Sequence, residues 1–134
     1  MQKMPAQQDA PPVGGGIDPD PVARSGLRTL LHGLGIDVST FDSAETYLLA
    51  QNGRHVACLI VDLLLPGMSG LELLRRLRSS GNDVPVILLA DESDVPTAVA
   101  AMREGATDFI EKPYVDVAVL KQVQKLLHNP PSHA

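Results

Sequence analysis

Of the 134 residues only one is cysteine and none is tryptophan, and the aromatics amount to two Phe and two Tyr. A single cysteine cannot close an internal disulfide, so nothing points to an oxidising compartment. Cys58 sits inside the apolar run from Ala57 to Val61 and reads as core packing, because free cysteine is among the most buried residue types. So few aromatics leave no stacking platform for single-stranded nucleic acid. Basic residues are also outnumbered, 11 Lys and Arg against 16 Asp and Glu, for a net charge of -5. That balance argues against direct nucleic-acid binding. No run approaches the roughly 18 apolar residues of a membrane span, and the N-terminus lacks a charged-then-apolar signal pattern. The chain is therefore expected to be cytoplasmic, with neither a membrane nor nucleic acid as a direct partner.

What is present is enough apolar residue, 44% of the chain, to build one core, in a length that suits one domain. Residues 1–12, rich in Gln, Pro and Ala, read as a disordered arm. Residues 129–134, with two prolines, read as a tail or linker, and the domain is expected over 13–128. Inside it, short apolar runs alternate with amphipathic stretches, the pattern of a parallel sheet covered by helices on both faces. The runs from Ile36 to Phe41, Ala57 to Asp62, Val84 to Ala90 and Asp108 to Lys112 are the strand candidates.

Helices fall between them. Leu27, Leu30, Leu31 and Leu34 stand at i, i+3, i+4 and i+7, one apolar face. Ser69 to Glu72 forms a capping box, and Gly81 closes the helix it opens. Asp94 is the expected cap of the next helix, with Pro96 in its first turn and Gly105 at its end. The last runs from about Asp116 to His128, turning Val119, Val123 and Leu126 inward.

Right-handed crossovers leave few topologies for this alternation, and the doubly wound sheet fits best. A fifth strand must precede the first helix, where the chain reads Pro12 to Asp18 with glycine at 14, 15 and 16. Three glycines bring neither side chains nor β-propensity, so this strand is expected to be short and weak.

In an open parallel sheet, ligands bind outside the carboxyl ends of the strands, where strand order reverses. The polar residues closing these strands are Asp18, Asp62 and Lys112. Two carboxylates at neighbouring strand ends make an oxygen-rich pocket suited to Mg²⁺, and a lysine aimed into it neutralises phosphoryl oxygens. This set suits in-line phosphoryl transfer to a carboxylate. Taken singly, each residue is an ordinary surface charge at a strand end; the convergence of three on one rim carries the reading.

The sequence resembles the bacterial response-regulator receivers of two-component systems. The likeness rests on I-V-D-L-L-L-P-G-M-S-G-L-E-L-L around Asp62, on Asp94 to Tyr114 with its E-K-P-Y ending, and on S-A-E-T-Y-L from Ser43. The D-x-x-x-P-G-M-S-G run and the E-K-P, with Asp62 and Lys112 fifty residues apart (112 − 62 = 50), are together highly specific. The wording is closest to receivers fused to helix-turn-helix output domains. The resemblance implies a flavodoxin-like, five-stranded parallel sheet in the order 2-1-3-4-5. It implies Asp62 as the phosphoacceptor, fed by a histidine kinase, with Lys112 touching the phosphoryl group. It further implies a cis bond before Pro113, Mg²⁺ held by Asp18, Asp62 and the Leu64 backbone carbonyl, and Phe109 as the aromatic that swings inward on activation. Signalling would pass through the surface of the fourth helix, fifth strand and fifth helix to an output domain or partner, with a homodimer as one form. The chain would catalyse at most its own phosphorylation and dephosphorylation, and so is not read as an enzyme.

Two positions depart from the family pattern. Where a second acidic residue usually follows Asp18 and binds the metal, the chain has Pro19, then Asp20, so weak Mg²⁺ binding is expected unless Asp20 stands in. Where Thr or Ser usually ends the fourth strand, it has Ala90, followed by Asp91. These departures keep two alternatives open. One is a phosphorylation-independent pseudo-receiver acting as an interaction module. The other, more remote, is a haloacid-dehalogenase-like phosphatase with Asp18 as nucleophile and Asp20 as acid/base. His32, His55, His128 and His133 show no metal-ligand spacing, and Arg75 to Arg78 read as the exposed face of a helix.

Overall fold

The computed structural model describes residues 13–50, 56–114 and 116–128. The expected arm and tail lie outside them, as does His55. The elements are β1 (Val13–Ile17), α1 (Pro21–His32), β2 (Asp37–Phe41), α2 (Ala44–Ala50), β3 (Cys58–Asp62), α3 (Gly70–Ser79), β4 (Val86–Ala90), α4 (Val95–Arg103), β5 (Asp108–Glu111) and α5 (Asp116–His128), with a 3₁₀ turn at Glu92–Asp94. All four pairings are parallel and the order is β2-β1-β3-β4-β5, as expected.

Successive residues of a strand face opposite sides of a sheet, and β3 and β4 use both. Leu59, Val61, Val86, Leu88 and Ala90 pack with Tyr47 of α2, Leu73, Leu74 and Leu77 of α3, and Ala98 and Ala101 of α4. Cys58, Ile60, Ile87 and Leu89 pack on the other side with Leu27 and Leu31 of α1 and Val119 and Val123 of α5. Burying each large side chain is worth roughly 1.5–3 kcal/mol, so the central strands anchor both layers. Cys58 is buried, and desolvation pushes its thiol up to about 11, in keeping with core packing. Among the described residues no helix is long and apolar enough to cross a membrane.

The local signals behave as their chemistry requires, with three corrections. The Ser69–Glu72 capping box is present in both directions. Asp94 stands at the N-cap position of α4, but its side chain makes no capping bond and its Oδ2 is buried without a partner. β1 is not short: its five residues equal those of β2, β3 and β4, and it is laddered on both sides. Side chains of neighbours lie over its backbone in place of its own. A Cβ at Gly15 would stand 2.5 Å from Leu59 Cδ2, while one at Gly14 would meet its nearest atom at an ordinary 3.5 Å. Arg78, read as part of an exposed basic face, is half-buried and donates to the carbonyls of Asn82, Val84 and Gly105. It ties α3 to the turns before β4 and β5. Arg75 does lie at the surface, paired with Glu104.

Candidate functional site

Three chain segments deliver the site, each at a strand's carboxyl end. Asp18 follows β1 directly and is fully buried. Its amide donates to the Phe41 carbonyl (3.1 Å), continuing the β1–β2 ladder by one residue. Its Oδ1 accepts from the Asp20 amide (2.9 Å) and its own carbonyl accepts from Arg24 Nη1 (2.7 Å). Asp62 closes β3, only 8% exposed, with Oδ1 accepting from the Leu64 amide at 2.9 Å. Lys112 follows β5, its amide donating to the Ala90 carbonyl (2.8 Å), and the Lys112–Pro113 bond is cis as expected.

The Lys112 ammonium bridges the two carboxylates, 2.9 Å from Asp62 Oδ2 and 3.3 Å from Asp18 Oδ2. Burial alone would lower its pKa. The hydrogen bond and charge of Asp62, joined by those of Asp18, outweigh that penalty and hold it above the ordinary lysine value. The ammonium is therefore firmly charged at neutral pH.

The loop after Asp62 is clamped. Glu45 of α2 accepts from the Met68 amide (2.8 Å). Gly67, at φ 73°, lies where a Cβ would stand 2.6 Å from Glu45 Oε2. Gly70 opens α3 hard against the end of β3, its amide donating to the Leu63 carbonyl (3.0 Å). Ala90 is buried at the end of β4, beside the Lys112 backbone, whereas Asp91 is exposed. Phe109 is half-buried against the core layer that includes Ala90 and Val61.

Asp18, Asp62 and Lys112 are thus brought together. Asp20, weighed as a stand-in metal ligand, is exposed and caps α1, its Oδ1 accepting from the Val22 amide (3.0 Å). Pro19 carries no side-chain oxygen. Among the described residues no three His, Cys, Asp or Glu side chains gather to hold a metal ion. The second acid that usually follows Asp18 in the family is therefore missing from the pocket, where Asp18 and Asp62 remain. Arg24 escaped the sequence reading. Its signal was position: it falls one turn after Asp20, the capping residue, so the first turn of α1 returns it to the strand end.

The model of the response regulator receiver domain matches residues 16–124. The transcriptional regulatory protein FixJ of Bradyrhizobium diazoefficiens is 36% identical over 111 residues, 83% of this chain and 54% of FixJ. The C4-dicarboxylate transport transcriptional regulatory protein DctD of Pseudomonas aeruginosa is 43% identical over 83% of this chain and 24% of its own length. The chain thus spans about half or less of these relatives' lengths. The crystal structure of a response regulator receiver protein from Pseudoalteromonas atlantica superposes with a TM-score of 0.81 at 35% identity, covering 90% of this chain and all of that one. With the sheet order agreeing, the chain belongs to the response-regulator receiver domain family.

Proposed function

We propose that this receiver accepts a phosphoryl group on Asp62 from a histidine kinase and signals through the α4–β5–α5 surface. The observation that carries the reading is the 2.9 Å contact of Lys112 Nζ with a carboxylate that is almost buried yet closes a central strand. In the proposed step an Asp62 oxygen forms a bond to phosphorus. The bond from phosphorus to the donor breaks, and its electron pair leaves with the donor. The Lys112 ammonium then neutralises phosphoryl oxygens, a charge-assisted contact. Exposed Val22 and Leu64 stand just beyond Asp18 and Asp62, an apolar rim for a docking kinase.

Exposed Val99 and Met102 on α4 and Val117 on α5 support that surface as the place where an output domain, a partner protein or a second copy is met. No membrane or nucleic acid enters the reading. The phosphatase alternative is not favoured: the family is that of receivers, and the Asp20 it requires as acid/base caps α1. The pseudo-receiver alternative keeps support from Pro19 and Ala90, which remove a metal ligand and a hydroxyl from the pocket.

The test is intact-mass spectrometry after incubation with acetyl phosphate and Mg²⁺. Uptake of one phosphoryl group by the wild type, and none by Asp62→Asn, is expected. Equal uptake by both would place the chemistry elsewhere, and none in either would favour the pseudo-receiver.

A further inference from the structure

Receivers generally bind Mg²⁺ at their acidic pocket, and the donor set here is at odds with that. The two pocket carboxylates offer four oxygens, and each already accepts a hydrogen bond from a nitrogen of the chain. Asp18 Oδ1 is held by the Asp20 amide and Asp62 Oδ1 by the Leu64 amide. Both Oδ2 atoms are held by the Lys112 ammonium. Asp20 is drawn off to cap α1 and Pro19 offers nothing. Each carboxylate oxygen keeps a second lone pair, but a hard divalent cation that demands near-ideal oxygen geometry and bridges the two Oδ2 atoms meets the ammonium already seated between them.

The charge count points the same way. Asp18 and Asp62 with Lys112 sum to −1 (−2 + 1), so a divalent ion would overshoot to +1. With a third carboxylate at position 19 the sum would be −2 (−3 + 1), which a divalent ion cancels. Replacing that acid by proline halves the negative charge that a metal would neutralise, from −2 to −1. The Arg24 guanidinium, which donates to the Asp18 carbonyl, and the Asp20 carboxylate in the same turn offset one another in this count.

We infer that the Lys112 ammonium, and not a divalent cation, is the resident counter-ion of the unmodified Asp18–Asp62 pair. Phosphorylation of Asp62, which rests on the function proposed above, then proceeds without a bound metal. Lys112 is a catalytic residue in that reading and the electrostatic substitute for the metal.

The experiment titrates the full chain with MgCl₂ alone, following the backbone amides of Asp18, Asp62 and Leu64 by NMR. Wild type is expected to show no saturable shift up to about 10 mM, beyond the weak end of protein cation sites. Pro19→Asp is expected to bind at least about ten-fold more tightly. Lys112→Met is expected to bind more tightly than wild type because the competing ammonium is gone. Saturation of the wild type below about 10 mM overturns the inference, whatever Pro19→Asp does. The amide spectrum shows directly whether each variant is folded.

A second arm measures phosphoryl uptake from acetyl phosphate in EDTA against uptake in MgCl₂. Rates within about three-fold support the inference, and a ten-fold or greater dependence on Mg²⁺ overturns it. No uptake in either condition counts against the phosphoacceptor reading, while the titration still decides the counter-ion.

Discussion

A Cβ placed on Gly70 would lie 2.8 Å from the backbone carbonyl oxygen of Asp62 and 2.9 Å from the Leu63 Cα. The first residue of α3 is pressed onto the end of β3, where the proposed phosphoacceptor leaves the sheet. Both obstructing atoms are backbone, so rotating a side chain cannot relieve the clash, and Gly70→Ala must lift α3 or bend the strand end. A loss of roughly 1–3 kcal/mol is expected, the usual cost of overpacking. Urea denaturation measures it, and unchanged stability would show that α3 slides freely on β3.

β1 offers an internal control for what its glycines do. Gly15→Ala is expected to destabilise by about 1–2 kcal/mol, because its methyl would stand 2.5 Å from Leu59 Cδ2, which must rotate into a filled core. Gly14→Ala meets ordinary contacts and reduces the freedom of the unfolded chain, so it is expected to be neutral or stabilising by up to about 1 kcal/mol. Equal effects at the two positions, read from urea midpoints, would contradict the packing account.

The lysine bridge carries a pH signature. Folding raises the Lys112 pKa, burial opposing and Asp62 and then Asp18 prevailing. A group whose pKa is raised by folding contributes stability below its unfolded value and loses it as pH climbs through the folded one. The contribution is therefore whole at neutral pH and fades on the alkaline side. The stability difference between wild type and Lys112→Met should be constant through neutral pH and shrink above about pH 10.5, the ordinary lysine range. A difference that persists unchanged to higher pH would mean the lysine acts through its alkyl chain.

Ala90 sets the size of the proposed switch. A threonine there would donate to phosphoryl oxygens, a contact worth about 1.5–3 kcal/mol that exists only in the phosphorylated state. Without it the ratio of active to inactive forms is expected to be roughly ten-fold lower or more. Comparing wild type with Ala90→Thr by NMR, each with and without beryllofluoride, should show larger shifts around Phe109 in the mutant. Wild-type shifts of equal size would mean that another group does the threonine's work.

Periodicity alone was sufficient for the two-layer core. The i, i+3, i+4 spacing of Leu27, Leu30 and Leu31, and the unbroken apolar runs in β3 and β4, can be satisfied only by burial on a helix face and on both faces of a sheet. The Ser69–Glu72 box was legible because both of its partners lie within one turn of chain. Asp18, Asp62 and Lys112 were legible as strand-end residues, since a parallel sheet gathers its carboxyl ends on one edge. What no local pattern contains is which neighbour fills a given space or takes a given hydrogen bond. Leu59, from another strand, decides that Gly15 carries no side chain, and the carbonyls of Asn82, Val84 and Gly105 turn Arg78 from a surface charge into a tie. Asp20 and Asp94 both stand at helix N-cap positions, yet only Asp20 makes its capping bond. These outcomes turn on separations of a few tenths of an ångström between segments far apart in the chain, and only the packed structure fixes those.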